Sequence, residues 1–446
     1  MNNDSPKVKA VLKNMGIESL NAMQQNALST STTYNELILL SPTGSGKTLA
    51  FLLPLLLRLN PEMEGVQALI ITPSRELAQQ IEQVWRSMGT GYRVFSCFGG
   101  RPSNAEKREL AKTPALIIGT PGRLQDHIER ENFNTSTIST LVLDEFDKSL
   151  EMGFSVQMEY IISSIPQLTH RVLTSATDLT QIPPYTGLKN PVKLDFSRND
   201  TETTKLKTYM VKADNNDRYD LLFRLLCYLG NQSSLVFCNQ REEVEKLSAY
   251  LHTRKLANEY FHGKLEQPER EKALSKFRNG SCCVFISTDL AARGLDIPEI
   301  KHVIHFDIPT RVDEYIHRNG RTARMHAEGS AYSLLGANSV MPAYITPVPT
   351  LFQLPLVVPH PPVSEWKTIY ISKGKKDKMS KMDVVGFLFK KGQLEPEDLG
   401  LVELKDYYTY AAIKAKKLNA LLKNVANEKI KNMKVRIEEA SAGKPL

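Results

Sequence analysis

Five short apolar runs, at 36–40, 68–72, 115–118, 141–143 and 172–174, punctuate the first two hundred residues, with helical or loop-like stretches between them. Continuous runs of this length predict strands of a largely parallel sheet covered on both faces, where alternation would predict one wet face. The style returns at 235–238, 283–287 and 303–306. The fold class is therefore α/β, with two parallel-sheet lobes in succession, expected at 1–200 and 201–345. A polar, charged stretch at 196–204 suits a hinge between them.

Beyond residue 342 the pattern changes. Seven prolines fall within 342–362, which predicts an extended connector, at 346–365, whose apolar residues can still pack on a lobe. From Trp366 onward, a strand-like TIYIS, a basic turn, a helix-like segment at 382–391, a strand-like run at 401–413, a helix-like one at 417–430 and the terminal MKVRI describe a compact α+β unit, 366–446. No tandem repeat is evident.

Composition sharpens this only in places. The chain is 41% apolar and 24% charged, and it has no apolar run of membrane-spanning length. The opening MNNDSPKVKAVLKNMG lacks a secretory core and cleavage site, so a cytoplasmic location is expected. Cys97, Cys227, Cys238, Cys282 and Cys283 show neither a disulfide framework nor metal-ligand spacing, which predicts no structural metal. The net charge of +8 is concentrated at the end: from Pro361, 18 basic residues face 11 acidic ones, a balance of +7. A polyanion-binding surface and a merely solvated lysine-rich one both fit that charge.

The strongest local chemistry lies in LILLSPTGSGKT, a strand, a glycine-rich loop and a helix start. Gly44 and Gly46 let backbone amides turn toward phosphate oxygens, Lys47 can reach the β and γ phosphates, and Thr48 can ligate Mg²⁺. Ser41 stands where the general formula has glycine, and a glycine turn without nucleotide is the alternative. LVLDEFD supplies Asp144 for the metal and Glu145 for the attacking water. Together with the Lys47 loop it points to hydrolysis of a nucleoside triphosphate with Mg²⁺. In the second lobe, HRNGRTAR packs His317, Arg318, Arg321 and Arg324 into one segment suited to phosphate in trans, against the alternative of a basic surface patch.

The order of these and further segments resembles the DEAD-box RNA helicases: GIESLNAMQ, SPTGSGKT, PSREL, FGG, TPGR, DEFD and SAT, then LVFCN, FHGKLEQPER, STDLAARGLD and HRNGRTAR. They cover nearly everything from Gly16 to Arg324. The resemblance implies two tandem RecA-like lobes that close around ATP and single-stranded RNA, bending one strand to open a short duplex. It implies that Gln24 recognises adenine, that Thr43, Gly44, Ser45, Gly46, Lys47 and Thr48 hold phosphates, and that Thr48 and Asp144 hold Mg²⁺. Glu145, with Lys47, Arg321 and Arg324, would carry the catalysis, and Asp296 would contact the ribose. Asp147, Ser175, Ala176, Thr177, His317 and Arg318 would couple the ATP site to RNA. Pro73, Arg75, Gly99, Gly100, Arg101, Thr120, Pro121, Gly122, Arg123 and Thr288 would line the RNA backbone, where contacts position without reading sequence.

There are departures. Phe146 stands where alanine is usual, which predicts altered local packing with function kept. Leu20 and Asn21 replace the usual proline and threonine, no aromatic residue precedes Gln24, and Ala323 replaces a common glycine. The tail, with GKKDKM at 374–379 and the terminal KVRI, resembles the RRM-like RNA-binding domain of DbpA-type helicases. That likeness implies capture of a large-subunit ribosomal RNA hairpin and service to pre-ribosomal particles. Independently of it, Lys373, Lys375, Lys376 and Lys378 cluster at a strand end, next to Tyr370 on the strand. Tyr407, Tyr408 and Tyr410 are as compatible with core packing as with base stacking. Other readings are a DNA helicase or a translocating motor, an ATP-gated RNA clamp or scaffold with little unwinding, and an RNA-binding module alone; the phosphate loop opposes the last.

Overall fold

The computed structural model describes residues 5–42, 44–100, 103–179, 181–197, 206–213, 217–289, 300–322 and 328–440, without the side chains at 103–105. The first lobe holds a seven-stranded sheet of β1 (Glu36–Leu40), β2 (Ala68–Ile71), β3 (Val94–Cys97), β4 (Leu116–Gly119), β5 (Thr140–Leu143), β6 (His170–Ser175) and β7 (Val192–Asp195). Their order is β3-β4-β2-β5-β6-β1-β7, and every pairing is parallel. β1, β2, β4 and β5 are buried almost throughout, which is why they read as continuous apolar runs, whereas β3 (VFSC), equally buried, gave no such run. One core cluster contains Leu28, Phe51, Ile70, Trp85 and Val142, and another contains Leu40, Ile71, Leu143, Phe146 and Leu173. Leu143 and Val142, neighbours on β5, thus serve opposite faces.

The second lobe repeats the design with β8 (Leu206–Lys212), β9 (Ser234–Phe237), β10 (Asn258–Phe261), β11 (Val284–Ser287), β12 (His302–His305), β13 (Gly329–Leu335) and β14 (Thr350–Leu351). The order is β10-β11-β9-β12-β13-β8-β14, again parallel. The proline-rich stretch is a strap on this lobe. Its β14 extends the sheet beside β8, and Phe352 meets the rings of Tyr209, Tyr228 and Tyr332 at centroid distances of 5.6, 5.4 and 5.6 Å. Arg224 donates to the Pro355 carbonyl at 2.9 Å.

The tail folds as β15 (Trp366–Ile371), the helix Lys381–Lys390, β16 (Leu399–Leu404), β17 (Thr409–Lys414) and the helix Leu418–Val425. A small hairpin of β18 (Lys429–Ile430) and β19 (Met433–Lys434) follows, then β20 (Ile437–Glu439). The antiparallel sheet runs β16-β17-β15-β20. Ile369, Ile371, Ala411 and Ile413 face the two helices. By strand alternation, Thr368, Tyr370 and Tyr410 face the other way, and the second lobe meets this face. Tyr408 donates to Glu271 at 3.0 Å, Asn279 Nδ2 donates to Thr368 Oγ1 at 2.8 Å, and Ser275 donates to Glu403 at 3.0 Å. Glu271, Ser275 and Arg278 belong to the helix Gln267–Arg278 of that lobe, and Arg278 lies 3.7 Å from Glu403.

This docking resolves the open question of the tyrosines. Tyr370, Tyr408 and Tyr410 touch one another at 5.4 to 5.9 Å between ring centres, and burial with Glu271 nearby pushes the Tyr408 and Tyr410 hydroxyls upward in pKa. Tyr408 and Tyr410 pack where the second lobe meets the tail, and Tyr370 packs on them beside Arg436 of the tail itself. Tyr407, on the β16–β17 turn, is 64% exposed. Among the described residues no helix is long and apolar enough to cross a membrane.

Candidate active site and RNA path

The first lobe gathers its chemistry at the carboxyl ends of parallel strands, the usual ligand edge of such a sheet. After β1, Ser41 donates its N–H to the Ser175 carbonyl at 3.0 Å, which ties the phosphate loop to the end of β6. Lys47 Nζ donates to the Ser41 carbonyl at 2.8 Å, and the Ser41 hydroxyl bonds that of Ser45. Ser41 is fully buried, with its N–H, carbonyl and hydroxyl all bonded. Gly46 has φ +89°, and a Cβ there would sit 2.6 Å from the Gln24 amide nitrogen. Glycine is required at that position on both counts. The helix Lys47–Arg58 starts without a side-chain cap, leaving its first N–H groups for an anion.

Asn21 is more than a departure. It caps the helix Ala22–Thr33, accepting from Gln24 N at 2.9 Å while Gln24 Oε1 accepts from Asn21 N at 3.0 Å. The same two side chains then reach the phosphate loop: Asn21 Nδ2 donates to Ser45 O at 3.0 Å and Gln24 Nε2 to Gly46 O at 3.2 Å. The sequence signal was present in NAMQ, an Asn with Gln three residues on.

Asp144 and Glu145 follow β5. Thr174 Oγ1 donates to Asp144 Oδ1 at 2.5 Å and accepts from Glu145 N at 3.1 Å, so one β6 hydroxyl aligns both acids. No motif pointed to Thr174. Glu145 has φ 47° and ψ 52°, a conformation that non-glycine residues seldom adopt and that marks stored strain. Its Oε2 is buried without a hydrogen-bond partner among the described residues. Burial and then the Glu145 charge push Asp144 up to about 6, against the pull of Thr174 and Lys47. Lys47 thus acts on Asp144, and the phosphate loop and the acids form one centre. A buried pair of carboxylates with an unspent oxygen suits a hard dication. Among the described residues no cluster of three His, Cys, Asp or Glu forms a protein-only metal site.

The Asp144 shift has a stability consequence. Its pKa is raised in the fold, from 3.8 to about 6, so the fold prefers the protonated form. The ionised carboxylate therefore costs roughly 3 kcal/mol above pH 6, a cost that vanishes below about pH 4. Asp144→Asn in metal-free buffer is expected to melt higher than wild type at pH 8, with the gain fading as pH falls from 6 to 4. Equal melting temperatures at pH 8 would remove the strain from Asp144.

Asp147 accepts from Thr177 Oγ1 at 3.3 Å, with Lys148 Nζ 3.6 Å away, and Ser175 Oγ bonds the Thr177 carbonyl at 2.6 Å. Ala176 lies between them, so 175–177 and the end of DEFD form one linked loop pair. Elsewhere on this edge, Arg75, which follows Pro73 and Ser74, lies against the FGG turn. A Cβ on Gly100, at φ +97°, would sit 2.7 Å from Arg75 Nη1, and one on Gly99 3.2 Å from Nη2. Thr120 precedes the helix Pro121–Glu129 without capping it through its side chain, and Gly122 is exposed.

In the second lobe Arg318 is a buried node. It binds Asp289 through Nε at 2.6 Å and Nη2 at 2.5 Å, and reaches Asn239 Oδ1 at 2.7 Å. Asp289 follows Thr288, so STD and HRNGRTAR are joined here. His317 and Arg321 are 8% and 6% exposed. Thr43, Arg101, Asp296 and Arg324 lie outside the described residues. In the tail, Lys375, Lys376 and Lys378 are exposed, while Lys373 pairs with Asp377 at 2.7 Å. Lys375 N and Lys376 N donate to the carbonyls of Lys405 and Asp406, which seats this loop on the turn that carries Tyr407.

Residues 21–181 match the family described as DEAD/DEAH box helicase, 217–326 the helicase conserved C-terminal domain, and 368–439 the DbpA RNA binding domain. The chain is 35% identical over 335 residues to the DEAD-box ATP-dependent RNA helicase CshA of Bacillus licheniformis, covering 74% of this chain and 69% of that one. Among solved structures it is similar to S. cerevisiae Dbp5 bound to RNA and ADP BeF3, with 29% identity, TM-score 0.67, and 74% and 88% of the two chains covered. Mss116p bound to ssRNA and AMP-PNP is also similar, with 25% identity, TM-score 0.66, and 74% and 72% covered.

Proposed function

We propose, on the premise that the chain belongs to the DEAD-box ATP-dependent RNA helicases and hydrolyses ATP to open RNA duplexes, that its tail directs this activity to a hairpin of large-subunit ribosomal RNA during ribosome assembly. The observation that carries the targeting is the DbpA-type domain with its exposed lysine loop. In this reading Gln24 reads adenine and Lys47 holds the phosphates, with Mg²⁺ on Thr48 and Asp144. Glu145 prepares the water, and Arg321 and Arg324 act in the hydrolytic step. Pro73, Arg75, Gly99, Gly100, Arg101, the segment 120–123 and Thr288 take the RNA backbone, which leaves the choice of RNA to the tail.

The lysine loop is the better place to test this than a tail deletion, because removing the tail would uncover Asn279, Ser281 and the helix Gln267–Arg278. In full-length protein, Lys375, Lys376 and Lys378 all changed to alanine should keep ATPase stimulation by a generic RNA. The preference for a large-subunit ribosomal RNA fragment should disappear. The salt dependence of ribosomal RNA binding should flatten by about 0.7 to 0.9 for each phosphate that the loop no longer neutralises. An unchanged preference in the triple variant would defeat the targeting reading, and stimulation by DNA equal to that by RNA would defeat the substrate class.

A further inference from the structure

A guanidinium that binds RNA phosphate keeps donors turned outward, and Arg123 has two of its nitrogens committed inward. Its Nε donates to Glu106 at 2.6 Å and its Nη1 to Asp126 at 3.2 Å, and its side chain is 15% exposed. Glu106 lies on the preceding helix, Ser103–Leu110, and is 2% exposed. It takes a second donor as well, His127 Nε2 at 2.9 Å. A carboxylate only accepts, so Nε2 carries the proton, and Asn132 Nδ2 meets the other ring nitrogen at 2.9 Å. Arg123 and His127 are four residues apart and share one face of the helix Pro121–Glu129. One buried carboxylate therefore pins two successive turns of that helix. The other Glu106 oxygen is buried without a partner among the described residues. The start of the helix, with Gly122 exposed and open space where its Cβ would stand, is the part left facing outward.

We propose that Arg123 is a positioning residue of the RNA path and not a phosphate ligand, and that Glu106, which no motif includes, is its partner in setting the start of the helix Pro121–Glu129. The backbone N–H of Gly122, at the open start of that helix, then meets the RNA phosphate. The inference rests on the reading of 120–123 as part of the RNA path.

The two roles separate by salt. A phosphate ligand releases counterions, so Arg123→Gln would lower the slope of log affinity against log salt by about 0.7 for single-stranded RNA. A positioning residue leaves the slope unchanged. In full-length protein, Arg123→Gln and Glu106→Gln are each expected to raise the RNA KM of the ATPase by about tenfold, the loss of roughly one charge-assisted hydrogen bond. The kcat at saturating RNA should hold and the slope should stay at the wild-type value. The double variant should be no worse than either single one. ADP affinity without RNA, measured alongside, identifies any variant that has misfolded, and His127→Gln then tests the same anchor from its other donor. A flattened slope in Arg123→Gln, an unaltered KM in Glu106→Gln, or additive losses would each overturn the proposal. Gly122→Glu tests the premise separately: it sets a carboxylate at the helix start and should weaken RNA strongly. If that variant binds RNA normally, the segment is not on the RNA path.

Discussion

Replacing Glu145 with glutamine is expected to leave ATP bound and to slow hydrolysis by about a thousandfold, the usual scale of a lost general base. The structure gives the substitution unusual selectivity. Glu145 is held in a left-handed conformation, its N–H is fixed by Thr174, and its Oε2 is a buried acceptor with no bond to lose among the described residues. Glutamine fits the same space and removes the basic oxygen. It also removes the charge that helps push Asp144 upward, so nucleotide binding is expected to hold or improve. Phosphate release with saturating RNA, set beside binding of a fluorescent ATP analogue, decides the matter. Turnover within a fewfold of wild type would take Glu145 out of the hydrolytic role.

Phe146→Ala, which restores the residue common at that place in the family, is expected to destabilise this chain by roughly 3 to 5 kcal/mol. Phe146 is completely buried in the apolar cluster of Leu40, Leu143, Met158 and Leu173. The neighbouring side chains pack around the ring, and truncation leaves a cavity. Because Phe146 stands between Glu145 and Asp147, the loss also frees the short helix Phe146–Glu151 that carries Asp147. A fall in melting temperature of about 10 °C, with a smaller fall for Phe146→Leu, is the expected result. A change below about 1 kcal/mol would mean that the neighbours close the space.

The sequence read best where the structure buries both faces of a strand. The run at 36–40 is β1, that at 68–72 overshoots β2 by one residue, and that at 235–238 is β9 shifted by one residue, because nothing charged interrupts such strands. β7 (VKLD) and β8 (LKTYMVK) alternate and carry charge, so they gave no run to find. The strand-like 401–413 is two strands, β16 and β17, around a turn at 405–408. That turn, KDYY, has neither glycine nor proline to announce it. At the site, motif residues were legible because each is a fixed word after a strand. Thr174 and Glu106 were not: their parts come from hydrogen bonds to residues 30 and 17 or more positions away, which no local pattern encodes. The docking of Tyr408 and Tyr410 was hidden for the same reason, since an aromatic on an outer sheet face looks alike in sequence whether RNA or a helix covers it.

That docking decides how far the tail can be exchanged between proteins. A domain on a loose leash can be cut at the leash and transplanted. Here the cut would separate Tyr408 from Glu271, Glu403 from Ser275 and Arg278, and Thr368 from Asn279. A graft of 366–440 alone would reach its new host with a polar face made to fit a helix the host lacks. The transferable unit therefore begins at or before Gln267, inside the second lobe, and a chimera joined within the prolines inherits the RNA-binding fold without its seat.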